Sequence, residues 1–323
     1  MLDALVHTLA DKEYYAPPAT EATSPAGPSP AEIDADPVGC LERFSENVAA
    51  GLLAMADPGR PDWVFPPSPQ AFASNTVCVA YGTAGVVHAL HRAGVSIPDD
   101  IEKRLRRDAL AGRDELPPGL DVGTAGIARV LATLGRLDEA IELVEHAEAH
   151  PITASCSTLA GGRAGVGLTW LALHRLTRDV RHLEKAAAAG DAIAALVDRG
   201  ADELIATLGP SDARGLHHGR SGLAQFLHHL AQETDDERYR AVGVRLLHEE
   251  LDRAIQMDDG TLSFADDAVT CGVRFLGSGA HRFSADLSSG GAGVLLALRR
   301  FLDGPGGGFF TLSPGAASPA RGG

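Results

Sequence analysis

Five times along this chain a small-residue cassette of the form Gly-x-x-Gly opens directly onto an apolar run of helical character. The cassettes are Gly82-Thr83-Ala84-Gly85, Gly123-Thr124-Ala125-Gly126, Gly162-Arg163-Ala164-Gly165, Gly219-Arg220-Ser221-Gly222 and Gly290-Gly291-Ala292-Gly293. Their first glycines are separated by 41, 39, 57 and 71 residues. A self-similar unit at intervals of a few tens of residues marks a repeat architecture, in which each unit buries its apolar face against its neighbours. The two longer gaps leave room for a helix pair whose cassette has degenerated, so a ring of six or seven units is open.

Between the cassettes the helical period dominates. Residues 42–56, 98–110, 137–148, 181–199 and 237–257 mix charged and apolar residues at spacings of three and four, the pattern of amphipathic helices. The runs after the cassettes, Val86 to Leu90, Val166 to Leu173 and Val294 to Leu298, are apolar nearly all round. Two alternating helix classes, one buried and one half-exposed, predict an all-α fold. The expected architecture is an α/α toroid, a double ring of helices with Gly-x-x-Gly at the N-termini of the inner helices. Strand signal is thin, and Thr76-Val77-Cys78-Val79-Ala80 is the best of it. At a helix start the first amides lack intrahelical partners, and small residues leave that end uncrowded. Inner helices aiming such ends at one centre would floor a cavity with partial positive charge. Glycines that merely permit tight packing or a sharp turn are the alternative.

The flanks differ from this body. Residues 1–38 read as an N-terminal stub, with a short helix from Leu2 to Tyr14, followed by a Pro/Ala/Ser-rich linker. Residues 304–323 read as a flexible C-terminal tail, which leaves 39–303 as the folded toroid. The 28 Lys and Arg against 43 Asp and Glu give a net charge of −15, which argues against nucleic acid or an anionic membrane as partner. Cys40, Cys78, Cys156 and Cys271 are scattered, with no Cys-x-x-Cys pair, and read as reduced thiols of a cytoplasmic protein. The start, Met1-Leu2-Asp3-Ala4, lacks the basic and apolar regions of a signal peptide.

In order and context these cassettes resemble those of the lanthionine synthetase C-like family, which closes thioether rings in ribosomally made peptides. The resemblance runs over about residues 61–302. It is carried by Asp62-Trp63-Val64-Phe65-Pro66, Val79-Ala80-Tyr81-Gly82, Gly119-Leu120-Asp121-Val122-Gly123, Leu159-Ala160-Gly161-Gly162, Gly215-Leu216-His217-His218-Gly219 and Asp286-Leu287-Ser288-Ser289-Gly290. Within the family the chain is most similar to the C-terminal cyclase domain of class III synthetases. The resemblance implies a precursor peptide as substrate and kinase and lyase domains of the same or a parent polypeptide as partners. Metal-using relatives bind zinc through one Cys in a Gly motif and a Cys-His pair in a later one. Here the nearest match is His217-His218-Gly219, so no zinc site and no other cofactor is expected.

The implied chemistry is a Michael addition of a cysteine thiol to dehydroalanine or dehydrobutyrine, giving lanthionine or, with a second addition, labionin-type rings. Without a metal it needs a base for the thiol and an acid for the enolate. His218 is the first candidate, because an imidazole changes protonation near working pH; a histidine packed at a helix start is the alternative. Asp121 and Asp286 are candidate bases or histidine-orienting groups, with helix capping as their commoner use. Arg163 and Arg220 are candidate substrate-binding groups for an enolate or a peptide carboxylate, with ion pairing as the alternative. His217 is read as outward-facing, and His88, His91, His228 and His229 fall inside helical runs. A non-catalytic toroid that binds the precursor or braces the kinase and lyase domains is the competing function. A carbohydrate-processing toroid ranks lower, since aromatic residues are only 5% of the chain and cannot line a sugar cleft richly.

Overall fold

A computed structural model describes residues 28–208, 218–251, 255–256 and 262–263. Among these the fold is all-helical, with thirteen helices and one short antiparallel pairing of Ile255–Gln256 (β1) with Leu262–Ser263 (β2). The fifth cassette, at Gly290, and the residues expected to form a tail lie outside the described residues, as does the expected helix from Leu2 to Tyr14.

The first two helices are α1 (Pro30–Ala35) and α2 (Pro37–Ala54). Helix α1 forms inside the stretch expected to be linker. Its reason is local: the Ser29 hydroxyl accepts from the Glu32 amide while the Glu32 carboxylate accepts from the Ser29 amide, and Pro30 supplies a preset φ at the first turn. Next come α3 (Pro69–Ala73), α4 (Thr83–Arg92) and α5 (Asp99–Ala111). The best strand signal, at residues 76–80, is not a strand; it is the loop that leads into α4.

Two compact units divide within α5, between Leu105 and Arg106. In the second, α6 (Thr124–Thr133) is followed by α7 (Leu137–Ala149), then the short α8 (Pro151–Ser155). The pattern repeats as α9 (Arg163–Thr177) and α10 (Val180–Arg199), then α11 (Ala201–Leu208), α12 (Arg220–Thr234) and α13 (Glu237–Leu251). In this unit the cassette helices pack on the helices after them, giving the hairpins α6–α7, α9–α10 and α12–α13. Cassette helices also pack on one another, α6 on α9 and α9 on α12.

The two helix classes expected from the sequence are present. In α6 every residue from Thr124 to Ala132 is buried, and in α9 every residue from Ala164 to Leu173. By contrast α7 buries only Ala140, Leu143, Val144 and Ala147, a single stripe at helical spacing. Side chains from successive partner helices meet closely here: a Cβ on Gly167 of α9 would overlap the Phe226 ring of α12, and one on Gly190 of α10 would overlap Leu230.

Candidate active site

Four of the five cassettes fall within the described residues, and each begins a helix at its first glycine. Gly82, Gly123, Gly162 and Gly219 are the N-caps of α4, α6, α9 and α12, all at negative φ and so outside the left-handed region that favours glycine. The need for glycine is therefore one of space. A Cβ on Gly82 would run into the carbonyl of Thr76, one on Gly123 into that of Pro117, and one on Gly162 into that of Cys156. In each case the obstructing carbonyl lies six residues upstream.

The same carbonyls close the helix starts. The Thr83 amide donates to Thr76 O at 2.9 Å and Ala84 to Val77 O at 3.0 Å. The Thr124 amide donates to Pro117 O at 2.8 Å and Ala125 to Pro118 O at 3.1 Å. The Arg163 amide donates to Cys156 O at 2.9 Å and Ala164 to Ser157 O at 3.2 Å. The expected floor of open amides is thus corrected for these three cassettes: their first two helical amides are taken by the loop that precedes them. Main-chain carbonyls at that distance satisfy donors that would otherwise attract an anion.

A third repeated feature anchors each loop. Val79, Leu120 and Leu159, three residues before the first glycine, are at most 1% exposed. Leu216 and Leu287 hold the same place in the sequence of the last two cassettes. After Leu120 the next two positions, Asp121 and Val122, are half-buried, whereas after Leu159 the next residue, Ala160, is buried and Gly161 half-buried; His218, just before Gly219, is exposed. The second and third loops also pair directly, the Asp121 amide donating to Ala160 O at 3.1 Å.

His218 stands on the water-facing step of its loop, one residue before the buried Gly219. Asp121 is half-buried two residues before Gly123, one position earlier in its loop than His218 in its own, and the N-cap of α6 is Gly123 rather than Asp121. Asp286 and His217 lie outside the described residues. Arg163 is half-buried; its Nη2 donates to Ala154 O at 3.0 Å, and burial first, then the Arg199 charge, pulls its pKa below the ordinary arginine value, with Cys156 opposing. Arg220 is fully buried, and its Nε lies 3.5 Å from Glu249 Oε2 on α13. Of these four, Arg220 alone is buried, Arg163 and Asp121 are half-buried and His218 is exposed.

Two arginines on the cassette helices, Arg129 and Arg175, are not singled out by the sequence pattern, whereas His88, His91, His228 and His229 are read there only as lying in helical runs. Arg129 of α6 is 7% exposed, and burial together with the Arg175 charge pushes its pKa down to about 9, so it stays cationic at neutral pH. Arg175 of α9 donates from Nε to Glu233 of α12 at 2.6 Å. His229 of α12 is pushed down to about 4, by burial first; a bond to Gln232 opposes this, and Arg175, His228 and Arg129 add to it. A neutral imidazole at pH 7 is the consequence. His88 is buried, while His91, on the exposed side of α4, has a pKa lowered by partial desolvation and by Arg92.

Cysteine placement bears on metal binding. Cys78 is fully buried with its Sγ 3.2 Å from Asn75 O, and the Cys40 Sγ accepts from Arg43 at 3.2 Å. Half-buried Cys156 has its Sγ 3.3 Å from Thr158 Oγ1. Among the described residues no three His, Cys, Asp or Glu side chains come together as a metal would need, and Cys271 lies outside them. Among the described residues, no helix is long and apolar enough to cross a membrane.

No family model matches the chain. Over 150 residues it is 35% identical to the probable SapB synthase of Streptomyces coelicolor. The match takes in 46% of this chain and 16% of that protein, so the chain spans a small part of its relative's length. This likeness supports the lanthipeptide-synthetase resemblance that the cassettes carry.

Proposed function

We propose that this chain is the cyclase domain of a class III lanthipeptide synthetase, a cytoplasmic enzyme domain that closes lanthionine or labionin-type rings without zinc. The observation that carries the reading is the likeness to the probable SapB synthase in a chain whose Gly-x-x-Gly cassettes cap buried helices. The substrate is a dehydrated precursor peptide with leader and core, and the partners are the kinase and lyase domains that precede the cyclase.

In this reading His218 takes the proton of the attacking cysteine, its exposed place on the loop giving a peptide access. The thiolate sulfur bonds to the β-carbon of dehydroalanine, and the displaced π electrons form an enolate. Protonation of the α-carbon then completes the lanthionine, so the proton lost by the thiol is restored at carbon. If the enolate instead attacks the β-carbon of a second dehydroalanine, the new enolate formed there takes the proton at its own α-carbon and a labionin-type carbacycle results. Asp121 orients the base or holds the proton between the two steps, and Asp286 is a second candidate for that task. Arg163, with its guanidinium half-buried at the third cassette, is left as a group that meets a peptide carboxylate.

A second reading, a non-catalytic toroid that binds the precursor or braces the other domains, is favoured by one observation. The helix-start amides of three cassettes are used up inside their own loops, as a purely structural glycine motif requires. One assay separates the two readings: a dehydrated precursor carrying free cysteine is incubated with and without the protein, and thiol loss is followed. Faster loss with protein supports the cyclase, and equal rates leave the scaffold. His218→Ala is expected to lower the accelerated rate by about 100-fold, within the range for a general base. An unchanged rate would remove His218 from the chemistry.

A further inference from the structure

At the fourth cassette the residue after the first glycine has a partner on another helix. Thr83 and Thr124 turn their hydroxyls back onto their own loops, donating to Thr76 O at 3.2 Å and to Pro117 O at 3.5 Å. Arg163 likewise donates to Ala154, in the segment just before its loop. Arg220 has its Nε 3.5 Å from Oε2 of Glu249, in the last turns of α13, a helix that also packs along α12.

This placement is costly unless it is answered. A cation in the first turn of a helix opposes the positive end of the helix dipole. Full burial adds a desolvation penalty that a partly solvated partner only offsets when it stays close. Glu249 is suited to that task, since 35% of its side chain remains exposed while Arg220 is at 0%. The pair ties the start of α12 to a second helix at the point where His218 leaves the loop, two residues earlier.

The geometry points to Glu249 as a positioning residue: through Arg220 it fixes the fourth cassette, and with it the placement of His218 for ring closure. The assignment to ring closure rests on the cyclase reading, whereas the assignment to cassette order does not. It also changes the part played by Arg220, from a group that meets substrate to one that holds the loop.

The test uses the full chain with a dehydrated precursor peptide carrying one cysteine and one dehydroalanine. Glu249→Gln is expected to lower kcat about tenfold with KM within twofold of the parent, as a misplaced base would. Glu249→Asp, which keeps the charge on a shorter stem, is expected to restore most of that loss. Parent-like kcat in Glu249→Gln, or no recovery in Glu249→Asp, would overturn the positioning role. Amide hydrogen exchange reads the same pair without chemistry: Glu249→Gln should speed exchange at residues 219–222 while leaving 123–126 and 162–165 unchanged. Uniform exchange in all three cassettes overturns the proposal, whether or not the parent closes rings. If the parent shows no cyclisation but the exchange difference appears, the cyclase reading fails and the Arg220–Glu249 tie stands. Arg220→Met, which removes the buried charge and keeps the volume, serves where Glu249→Gln does not fold, with the same exchange pattern expected.

Discussion

The helices that begin at a cassette and the helices that follow them are held by different forces. Cassette helices α6 and α9 are buried along most of their length, and their starts are fixed by main-chain bonds to the preceding loop. The following helices bury one stripe each and meet one another through charge. Lys185 of α10 bonds Glu148 of α7 at 2.6 Å. From α13, Arg238 reaches Asp191 of α10 at 2.9 Å and Arg245 reaches Asp198 at 2.6 Å, two rungs spaced seven residues apart on both helices. Arg106 and Arg113 pair with Glu139 and Glu142 on the other side of α7. The contrast teaches where substitution is tolerated. Close packing and main-chain bonds leave no slack in the first class, while solvated ion pairs in the second contribute little each.

The largest expected effect lies at a cassette glycine. Gly123→Ala places a methyl group against the Pro117 carbonyl, which is itself bonded to the Thr124 amide and cannot move away alone. A loss of about 3 kcal/mol is expected from such overpacking, read by chemical denaturation. Stability close to that of the parent would mean that the loop yields and that glycine is needed there for something else. Next is Gly167→Ala, where the new methyl meets the end of the Phe226 ring rather than backbone. About 2 kcal/mol is expected, and the paired change with Phe226→Leu should recover part of it, since the two sites share one contact.

A smaller effect separates the classes by pH. Burial holds His229 at about 4 in the folded chain, below its ordinary value of 6.5. As pH falls from 6.5 to about 4 the unfolded chain therefore binds this proton first, and stability declines across that window. His229→Gln should make the decline shallower in denaturation curves taken between those two pH values. A slope identical to the parent's would show that the imidazole is not held neutral by its surroundings.

The smallest effect belongs to the following helices. Asp198→Asn removes one rung from a pair whose side chains are 45% and 66% exposed, so solvent screens most of its charge. A change of about 0.5 kcal/mol or less is expected, fading further in high salt. A loss comparable to that of Gly123→Ala would break the contrast between the two classes.

Much of the fold was legible because its signals are local. Glycine cassettes ahead of apolar runs marked the starts of α4, α6, α9 and α12, and three-four spacing marked α5, α7, α10 and α13. Misreadings were of two kinds. The β-branched content of residues 76–80 suggested a strand, yet Val79 is there to pin a loop and Thr76 and Val77 to offer their carbonyls to α4. The capping box at Ser29 was passed over because Pro and Ala dominate its surroundings, although Ser-x-x-Glu after such a stretch is itself a start signal. Leu120 and Leu159 were equally readable, as the apolar residue three before each first glycine.

The candidate site was legible in part. His218 and Asp121 could be named because position next to a cassette is a matter of sequence counting. Whether Arg220 faces water or the interior is a different matter, since both outcomes fit the same neighbours in the chain.

The sequence by itself determined where the four described cassette helices begin and the division into buried and half-buried helices, and it named candidate groups for acid-base chemistry. These depend on period and on residue type, which are properties of a short window. The tertiary structure decided how the glycines are used, because the carbonyl that excludes a side chain there comes from the fold of the loop. It also decided the fate of Arg220, since its partner Glu249 is brought to it only when α13 packs against α12. Burial of a charge is settled by what arrives from elsewhere in the chain, and no local pattern records that.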